Sequence, residues 1–451
     1  MSSECGESFE RCGQATGPAA GPEWGGAILA AGLGKRMEPL TVRYLPKPMF
    51  PLGGKVPLLE TWVRKLVAAG ISDLSMNLCV LKDTIRQYFH DGARFGATLR
   101  YLEEDQPSGT LGGVCKQVFG RQARTFPGEL PPQQTPLSGS TIVVPSGDIV
   151  TNFDADQLAE LVAWHRRQGA AMTIVLTPIA WERRQDYGTV VLQDPEKRPG
   201  LLSLAGPIAD FREKDPNSPS NLNNASIYLI ESRLLAELDP FRTPADPELA
   251  EPFYDFGKHV FPALLGQLDY LRLAKDNRLM GVQYDGAWYD VGQKRDYLRV
   301  NEAVLDERLR VPLPFEKTDW GYRGRDSQVA LSQLDLKPPV VIGNHCRIEA
   351  GVQLGPYAVI GNGWTVEAGA AISHAVLWEP YPVPQPAGSE LPRQEPSRQN
   401  PQQVAAGVTI QESIVAAGPV QQDVRESTVH INEAGQLVVL PIDWTGGGPR
   451  A

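Results

Sequence analysis

The spacing of apolar positions changes character along this chain, and the changes divide it. Residues 1–23 are polar and glycine-rich and read as a loose tail. From Ala27-Ile28-Leu29 onward, short apolar runs of the kind that make buried strands alternate with stretches at helical spacing. Leu58, Leu59, Trp62, Val63, Leu66 and Val67 share one helical face, and Gly70 stops that helix. A strand is expected over 74–81, a helix over 83–90 and a strand over 97–102. Further strands are expected at 141–144, 171–177, 189–193, 208–213, 225–230 and 279–284, with a helix over 154–168. The alternation predicts a parallel α/β sheet in one domain over 24–300, with 125–140, which holds four prolines, as a surface loop.

A helix over 293–309 begins in that domain and continues into a helix-and-linker region over 301–338, whose proline-bearing linker leads to a different period. Ile342, Ile348, Leu354, Ile360, Val366, Ile372 and Trp378 recur at intervals of six. Hexapeptide repeats build triangular coils, three hexads to a coil, so a β-helix of somewhat over two coils is expected within 339–440. A Pro/Gln-rich insertion at 380–403 interrupts it, 408–410 and 413–415 resume it, and 441–451 reads as a tail.

Charge narrows the choice of partners. The net charge of −10 argues against a nucleic-acid partner held through phosphate contacts. Cys5, Cys12, Cys79, Cys115 and Cys346 lack metal-ligand spacing, as expected of reduced thiols in a cytoplasmic protein. No apolar run approaches the roughly 18 residues that cross a bilayer, and residues 1–23 lack the hydrophobic region of a signal peptide, so no membrane partner is expected.

The chemistry concentrates after the first strand, in Leu29-Ala30-Ala31-Gly32-Leu33-Gly34-Lys35-Arg36-Met37-Glu38-Pro39-Leu40-Thr41 and the following Pro46-Lys47-Pro48. Gly32 and Gly34 let the backbone turn so that successive amides face an anion, with Arg36 and Lys47 adding positive charge. The dinucleotide fingerprint fails because Met37 stands where its third glycine belongs, and no Walker A pattern fits. The whole string resembles the signature L-A-A-G-x-G-x-R-x-x-P-L-T followed by P-K-P of the nucleotide-sugar pyrophosphorylases, the sugar-1-phosphate nucleotidyltransferases.

That resemblance implies a doubly wound Rossmann-like nucleotidyltransferase domain followed by a short left-handed parallel β-helix. It also implies formation of a nucleoside diphosphate sugar and pyrophosphate from a nucleoside triphosphate and a hexose 1-phosphate. Leu29, Ala30, Ala31, Gly32, Gly34, Lys35 and Arg36 would bind the nucleotide, with Arg36 and Lys47 on its phosphates. Asp148, after Gly147, and Asp290, in Trp288-Tyr289-Asp290-Val291-Gly292, would hold Mg²⁺. Gly147, Tyr187, Gly188, Glu213, Lys214 and Asn224 match sugar-phosphate positions, although Asp215 replaces a family proline and Ser226 a family glycine. The stretch from Gln106 to Gly113, including Gly109 and Thr110, resembles the base-reading loop. Its Gly-Thr-Leu-Gly part favours GTP with mannose 1-phosphate, and its Gln-Pro-Ser start favours glucose 1-phosphate with dTTP or UTP. A catalytically silent regulatory subunit that binds nucleotide sugar and a β-helix acyltransferase using His345 or His374 are the alternatives. A homo-oligomer formed through the β-helix or the catalytic domain is expected.

Overall fold

The computed structural model describes residues 24–120, 123–124, 137, 139–200, 202–240, 254–268, 278–379, 402–432 and 434–444. The expected tail at 1–23, residues 445–451 of the tail expected at 441–451, and nearly all of the 125–140 loop and the 380–403 insertion lie outside the described residues. Residues 441–444 are not a loose tail, because Leu437–Pro441 is a strand paired with Ser427–Ile431 and Ile442 is buried.

The main sheet runs, from one edge, through Gly188–Leu192, Leu202–Glu213, Leu279–Tyr284, Met172–Pro178, Leu222–Glu231, Thr141–Pro145, Trp24–Leu29, Asp73–Leu78, Thr98–Glu103 and Ala123–Arg124. From Thr141–Pro145 to Thr98–Glu103 the neighbours are parallel. Leu222–Glu231 is antiparallel to both of its main neighbours, and Leu202–Glu213 is antiparallel to Leu279–Tyr284. The sheet is therefore mixed rather than wholly parallel. Leu222–Glu231 enters the sheet between Thr141–Pro145 and Met172–Pro178 and runs against both, which interrupts the parallel order.

Both faces of the sheet are covered, which is why its strands read as continuous apolar runs. Ile28, Leu74, Met76 and Val143 point into one core with the helix Leu58–Ala68, while Ala27, Ile142, Val144 and Ile174 point into the other with the helices Gly109–Val118 and Ser232–Leu238. Leu58, Leu59, Trp62, Val63 and Leu66 are all buried, as their spacing requires.

The C-terminal region holds three parallel ladders. The longest begins at Gly321–Arg323 and continues through Val340–Ile342, Ala358–Ile360, Ala375–Leu377, Ile414–Val415 and Ser427–Ile431. Ile342 pairs with Ile360, Ile348 with Val366 and Leu354 with Ile372, each three hexads apart, and all six are buried in one cluster. This register is compatible with stacked hexapeptide coils. Two expectations need correction. Strands begin inside the segment expected as linker, and the helix ends at Leu305, with Arg323 pairing to Ile342 and Val329 to Ile348. That upstream turn is one residue longer than the repeat and places Gly324 and Ala330 at hexad positions, which hides its period. Trp378 is the second correction. Leu377 pairs with Ile360, so Trp378 falls outside the interior row.

Trp378 instead joins the two parts of the chain. Its ring lies edge-on to Phe50 at 4.8 Å and to Tyr297 at 6.1 Å, and its Nε1 donates to the Tyr297 hydroxyl at 3.0 Å. Tyr297 stands on the helix Lys294–Leu305, and its hydroxyl donates to the Pro51 carbonyl at 2.6 Å. Val341, Val359, Val376 and Ile414 pack into the same cluster as Phe50 and Tyr297, so one hydrophobic core spans both regions.

Candidate active site

The glycine loop leaves the end of Trp24–Leu29 with its first peptide fixed, because Ala30 N donates to Asn77 Oδ1 at 2.8 Å. Gly34 takes a left-handed conformation with φ of 61°, and a β-carbon there would stand 2.8 Å from the Thr41 methyl. Thr41 then clamps the turn, its hydroxyl donating to Gly34 O at 3.0 Å. Nothing lies within 4 Å of where a Gly32 β-carbon would be, and Lys35 and Arg36 are exposed, so the loop presents an open, cationic surface.

Thr141–Pro145 ends in Ser146-Gly147-Asp148, held to the loop by Gly147 N donating to Leu29 O at 2.8 Å. Ser146 Oγ donates to Asp148 Oδ1 at 2.6 Å, and the Lys47 ammonium pairs with Asp148 Oδ2. Asp290 arrives on Trp288–Asp290, which runs antiparallel to Ile149–Thr151 with Asp290 opposite Ile149, and Val291 N donates to Asp148 O at 3.2 Å. A β-carbon on Gly292 would lie 3.1 Å from Arg36 Nη2 and 3.4 Å from Asp290 Oδ2, which places the guanidinium beside that carboxylate.

Electrostatics separate the two acids. Burial alone raises the Asp148 carboxyl, but the Lys47 ammonium and the Ser146 hydroxyl outweigh it and hold the group below the usual carboxylate range. Asp290 is pushed up to about 6, first by burial and then by the charge of Asp148, against the pull of Lys47 and Arg36. Lys47 is raised: its burial opposes the charge, and Asp148 and Asp290 together overcome that penalty.

A second group forms where Gly188–Leu192 meets Leu202–Glu213. Gly188 sits opposite Glu213, and a β-carbon on it would lie 2.8 Å from Glu213 Oε2, so a side chain there would displace the carboxylate. Lys214 N donates to Tyr187 O at 3.0 Å and its side chain is exposed. Asp215 lies 3.7 Å from the Arg212 guanidinium, which offsets its charge beside Lys214. Burial raises the Glu213 carboxyl, Asp255 adds to this, and Lys214 and Lys258 oppose it. Tyr187 lies edge-on to Trp288 at 5.8 Å, and its hydroxyl accepts from Arg183 Nη2 at 2.8 Å. Asn224 is committed internally, donating to the Tyr228 hydroxyl at 2.9 Å and accepting from Ser226 N at 3.0 Å. Ser226 has a φ of 58°, the left-handed backbone that explains why glycine suits this position.

The expected base-reading loop is shorter than the sequence indicated. Gly109–Val118 is a helix with Gly112 and Gly113 buried in it, while Gln106 remains exposed before it. Thr110 Oγ1 accepts from Phe256 N at 2.7 Å, and Gly109 lies so near Tyr254 that a β-carbon would stand 2.1 Å from its carbonyl. Asn77, Glu104, Arg183 and Asp255 were not found from the sequence, because none belongs to a motif string or a periodic pattern and their contacts are tertiary.

Residues 26–307 match the family described as Nucleotidyl transferase, well over half of the chain. The chain belongs to that family, and the resemblance to the sugar-1-phosphate nucleotidyltransferases is borne out. Among its relatives, a UTP–glucose-1-phosphate uridylyltransferase of Synechocystis sp. is 30% identical over 78% of this chain and 82% of its own length. A mannose-1-phosphate guanylyltransferase of Mycobacterium tuberculosis is 26% identical over 73% of this chain and 76% of its own.

Proposed function

We propose that this protein joins a nucleoside triphosphate to a hexose 1-phosphate, releasing pyrophosphate and a nucleoside diphosphate sugar. The observation that carries the reading is the convergence of Arg36, Lys47, Asp148 and Asp290 at the end of the glycine loop.

A phosphate oxygen of the sugar 1-phosphate forms a bond to the α-phosphorus of the triphosphate, and the bond from that phosphorus to the bridging oxygen breaks in line. The electron pair leaves on pyrophosphate, and no protein nucleophile takes part. The chain's task is to hold two anions in line and to offset the charge that develops on the leaving group. Loop amides and Arg36 face the triphosphate, Lys47 bridges the loop and the acid pair, and Tyr187, Gly188, Glu213 and Lys214 hold the sugar phosphate.

Asp148 and Asp290 suit a hard divalent cation. Their mutual repulsion, seen in the raised Asp290, is what a cation between them relieves. Two carboxylates completed by phosphate oxygens and water would fit Mg²⁺, which seldom takes an all-protein cage. Bound there, Mg²⁺ supplies charge neutralisation of the phosphates.

GTP with mannose 1-phosphate is the first assignment, supported by Gly109-Thr110-Leu111-Gly112 and by the name of the mycobacterial relative. UTP or dTTP with glucose 1-phosphate is the second, supported by Gln106-Pro107-Ser108 and by the name of the Synechocystis relative. A silent regulatory subunit would lack Arg36, Asp148 or Asp290, and all three are in place. Acyl transfer by His345 or His374 rests on the coil fold alone, which does not establish an activity. The C-terminal coils are assigned as a left-handed β-helix that supports a homo-oligomer, and the protein as cytoplasmic. No described helix is long and apolar enough to cross a membrane.

Pyrophosphate release is the test, run with Mg²⁺ across the common nucleoside triphosphates and several hexose 1-phosphates, with Asp148→Asn as control. One productive pair silenced by the substitution supports the reading and fixes both substrates. Folded protein that binds a triphosphate and turns over no pair overturns it in favour of the regulatory subunit.

A further inference from the structure

Glu104 follows the strand Thr98–Glu103, with only 2% of its side chain exposed, and gathers donors from three elements. Its Oε2 accepts from Asn77 Nδ2 at 2.9 Å. Its Oε1 accepts from Ser108 N at 3.2 Å, from the Ser108 hydroxyl, and from the Lys116 ammonium at 3.5 Å. Asn77 spends the other end of its amide on the glycine loop, accepting from Ala30 N at 2.8 Å. Asn77, Glu104, Ser108 and Lys116 are all buried. A continuous hydrogen-bonded path thus runs from the first peptide of the phosphate loop, through Asn77 and Glu104, to the residue that precedes the helix Gly109–Val118. Gly113 makes room for it, since a β-carbon there would lie 2.6 Å from Asn77 Nδ2.

A buried carboxylate is a costly way to fill space, because apolar side chains would pack there without a desolvation penalty. What distinguishes this one is where its two oxygens lead. Through Asn77 one reaches the loop that faces the triphosphate, and the other fixes Ser108, next to the segment that faces the base. Ser108 is held from its far side as well, because Tyr254 N donates to Ser108 O at 3.1 Å and Leu111 N donates to Tyr254 O at 3.0 Å. The spacing between the two nucleotide-facing segments is therefore set by one carboxylate and one amide.

We infer that Glu104 and Asn77 are positioning residues that fix the distance between the phosphate loop and the base-reading segment 106–110, so that the pair gauges the nucleotide from phosphate to base. This deepens the proposed nucleotidyl transfer and rests on it. Neither side chain touches substrate. Both act through backbone, Asn77 on Ala30 and Glu104 on Ser108.

Steady-state kinetics of the productive substrate pair, with calorimetric titration of the triphosphate, tests this in Glu104→Ala, Asn77→Ala and Glu104→Gln. Glu104→Ala and Asn77→Ala are expected to raise the KM and Kd for the triphosphate about tenfold or more, as loss of hydrogen bonds to a charged group implies, while the sugar 1-phosphate KM moves less than about twofold. Discrimination among the triphosphates falls in both. Glu104→Gln keeps an acceptor for Asn77 but turns an amide donor toward Ser108 N and the Lys116 ammonium, themselves donors, so its triphosphate affinity is expected to fall between wild type and Glu104→Ala. Equal shifts in both KM values, or a lowered Tm with no split between them, overturn the inference and leave a brace for the fold. Asn77→Ala leaves Glu104 with Ser108 and Lys116, and carries the test where Glu104→Ala does not fold. Wild type that turns over nothing overturns the nucleotidyl-transfer reading, and an unchanged triphosphate Kd in the variants separately overturns this one.

Discussion

The ammonium of Lys47 is paired with the carboxylate of Asp148, and this contact ties the turn after the phosphate loop to the end of the central strand. Both side chains are largely buried, at 12% and 21% exposed. Lys47→Met removes the charge that keeps Asp148 ionised and leaves a carboxylate facing Asp290 with less compensation. Turnover is expected to fall about 10²- to 10³-fold, the scale seen when one preorganised electrostatic partner is removed. Pyrophosphate release from a variant whose Tm shows it folded measures this. Retention of more than about a third of the wild-type rate would remove Lys47 from the catalytic set.

Asp290 supplies a more direct readout of the same cluster. Its carboxyl is pushed up to about 6 by burial and by the Asp148 charge. Asp148→Asn deletes the second cause and frees Lys47 to face Asp290, so the Asp290 pKa should drop toward the ordinary value of 3.8. Carboxylate titration by NMR in metal-free protein follows it. An unchanged value would mean that burial alone raises the group.

The His374–Glu302 contact makes interdomain stability depend on pH. The hydrogen bond that the ring donates to Glu302 raises the histidine above its ordinary 6.5, with burial opposing. A group whose folded pKa is raised contributes stability that is whole below the unfolded pKa and disappears as pH climbs through the folded one. The Tm gap between wild type and His374→Gln should therefore be widest below the ordinary histidine value of 6.5 and close as pH climbs above it, and Glu302→Gln should flatten it. A gap independent of pH would assign the effect to packing on Tyr357, whose ring centroid lies 5.1 Å away.

Ser226 tests a departure from the family pattern. Its left-handed backbone strains any residue with a β-carbon, by roughly 1 kcal/mol. Its hydroxyl bonds Tyr228, which partly offsets that cost. Ser226→Gly should change stability by less than about 1 kcal/mol in denaturant titration and leave the order of preference among hexose 1-phosphates unchanged. A switched preference would place the serine hydroxyl on the sugar.

What the sequence disclosed follows from what leaves a mark on it. Leu58, Trp62 and Leu66 had to fall on one helical face, and Ile342, Ile348 and Leu354 at one step of six, because each set fills a single core. Asp148 and Asp290 were legible through contiguous strings, although 141 residues separate them and only the ladder between Trp288–Asp290 and Ile149–Thr151 brings them together. Glu104 and Asn77 stood in no string, and glycine-rich composition concealed the helix Gly109–Val118, whose glycines serve close approach to Tyr254 and Asn77. Asp255 was equally silent, since its nearness to Glu213 is purely tertiary.

Trp378 offers the clearest case of a period misleading about a role. Counted as the seventh hexad residue, it belongs inside the coil, where its loss would loosen only the C-terminal region. Placed instead against Phe50 and Tyr297, it is fully buried in the core shared by both regions. Trp378→Ala should cost about 3–5 kcal/mol, and it should destabilise the two regions together. Trp378→Phe keeps an edge-on ring and loses only the indole donor to the Tyr297 hydroxyl, so a cost nearer 1 kcal/mol is expected. Calorimetry distinguishes the two assignments. A single transition moved as a unit places Trp378 in a common cooperative core, whereas a new low-temperature transition confined to the C-terminal region would return it to the coil interior.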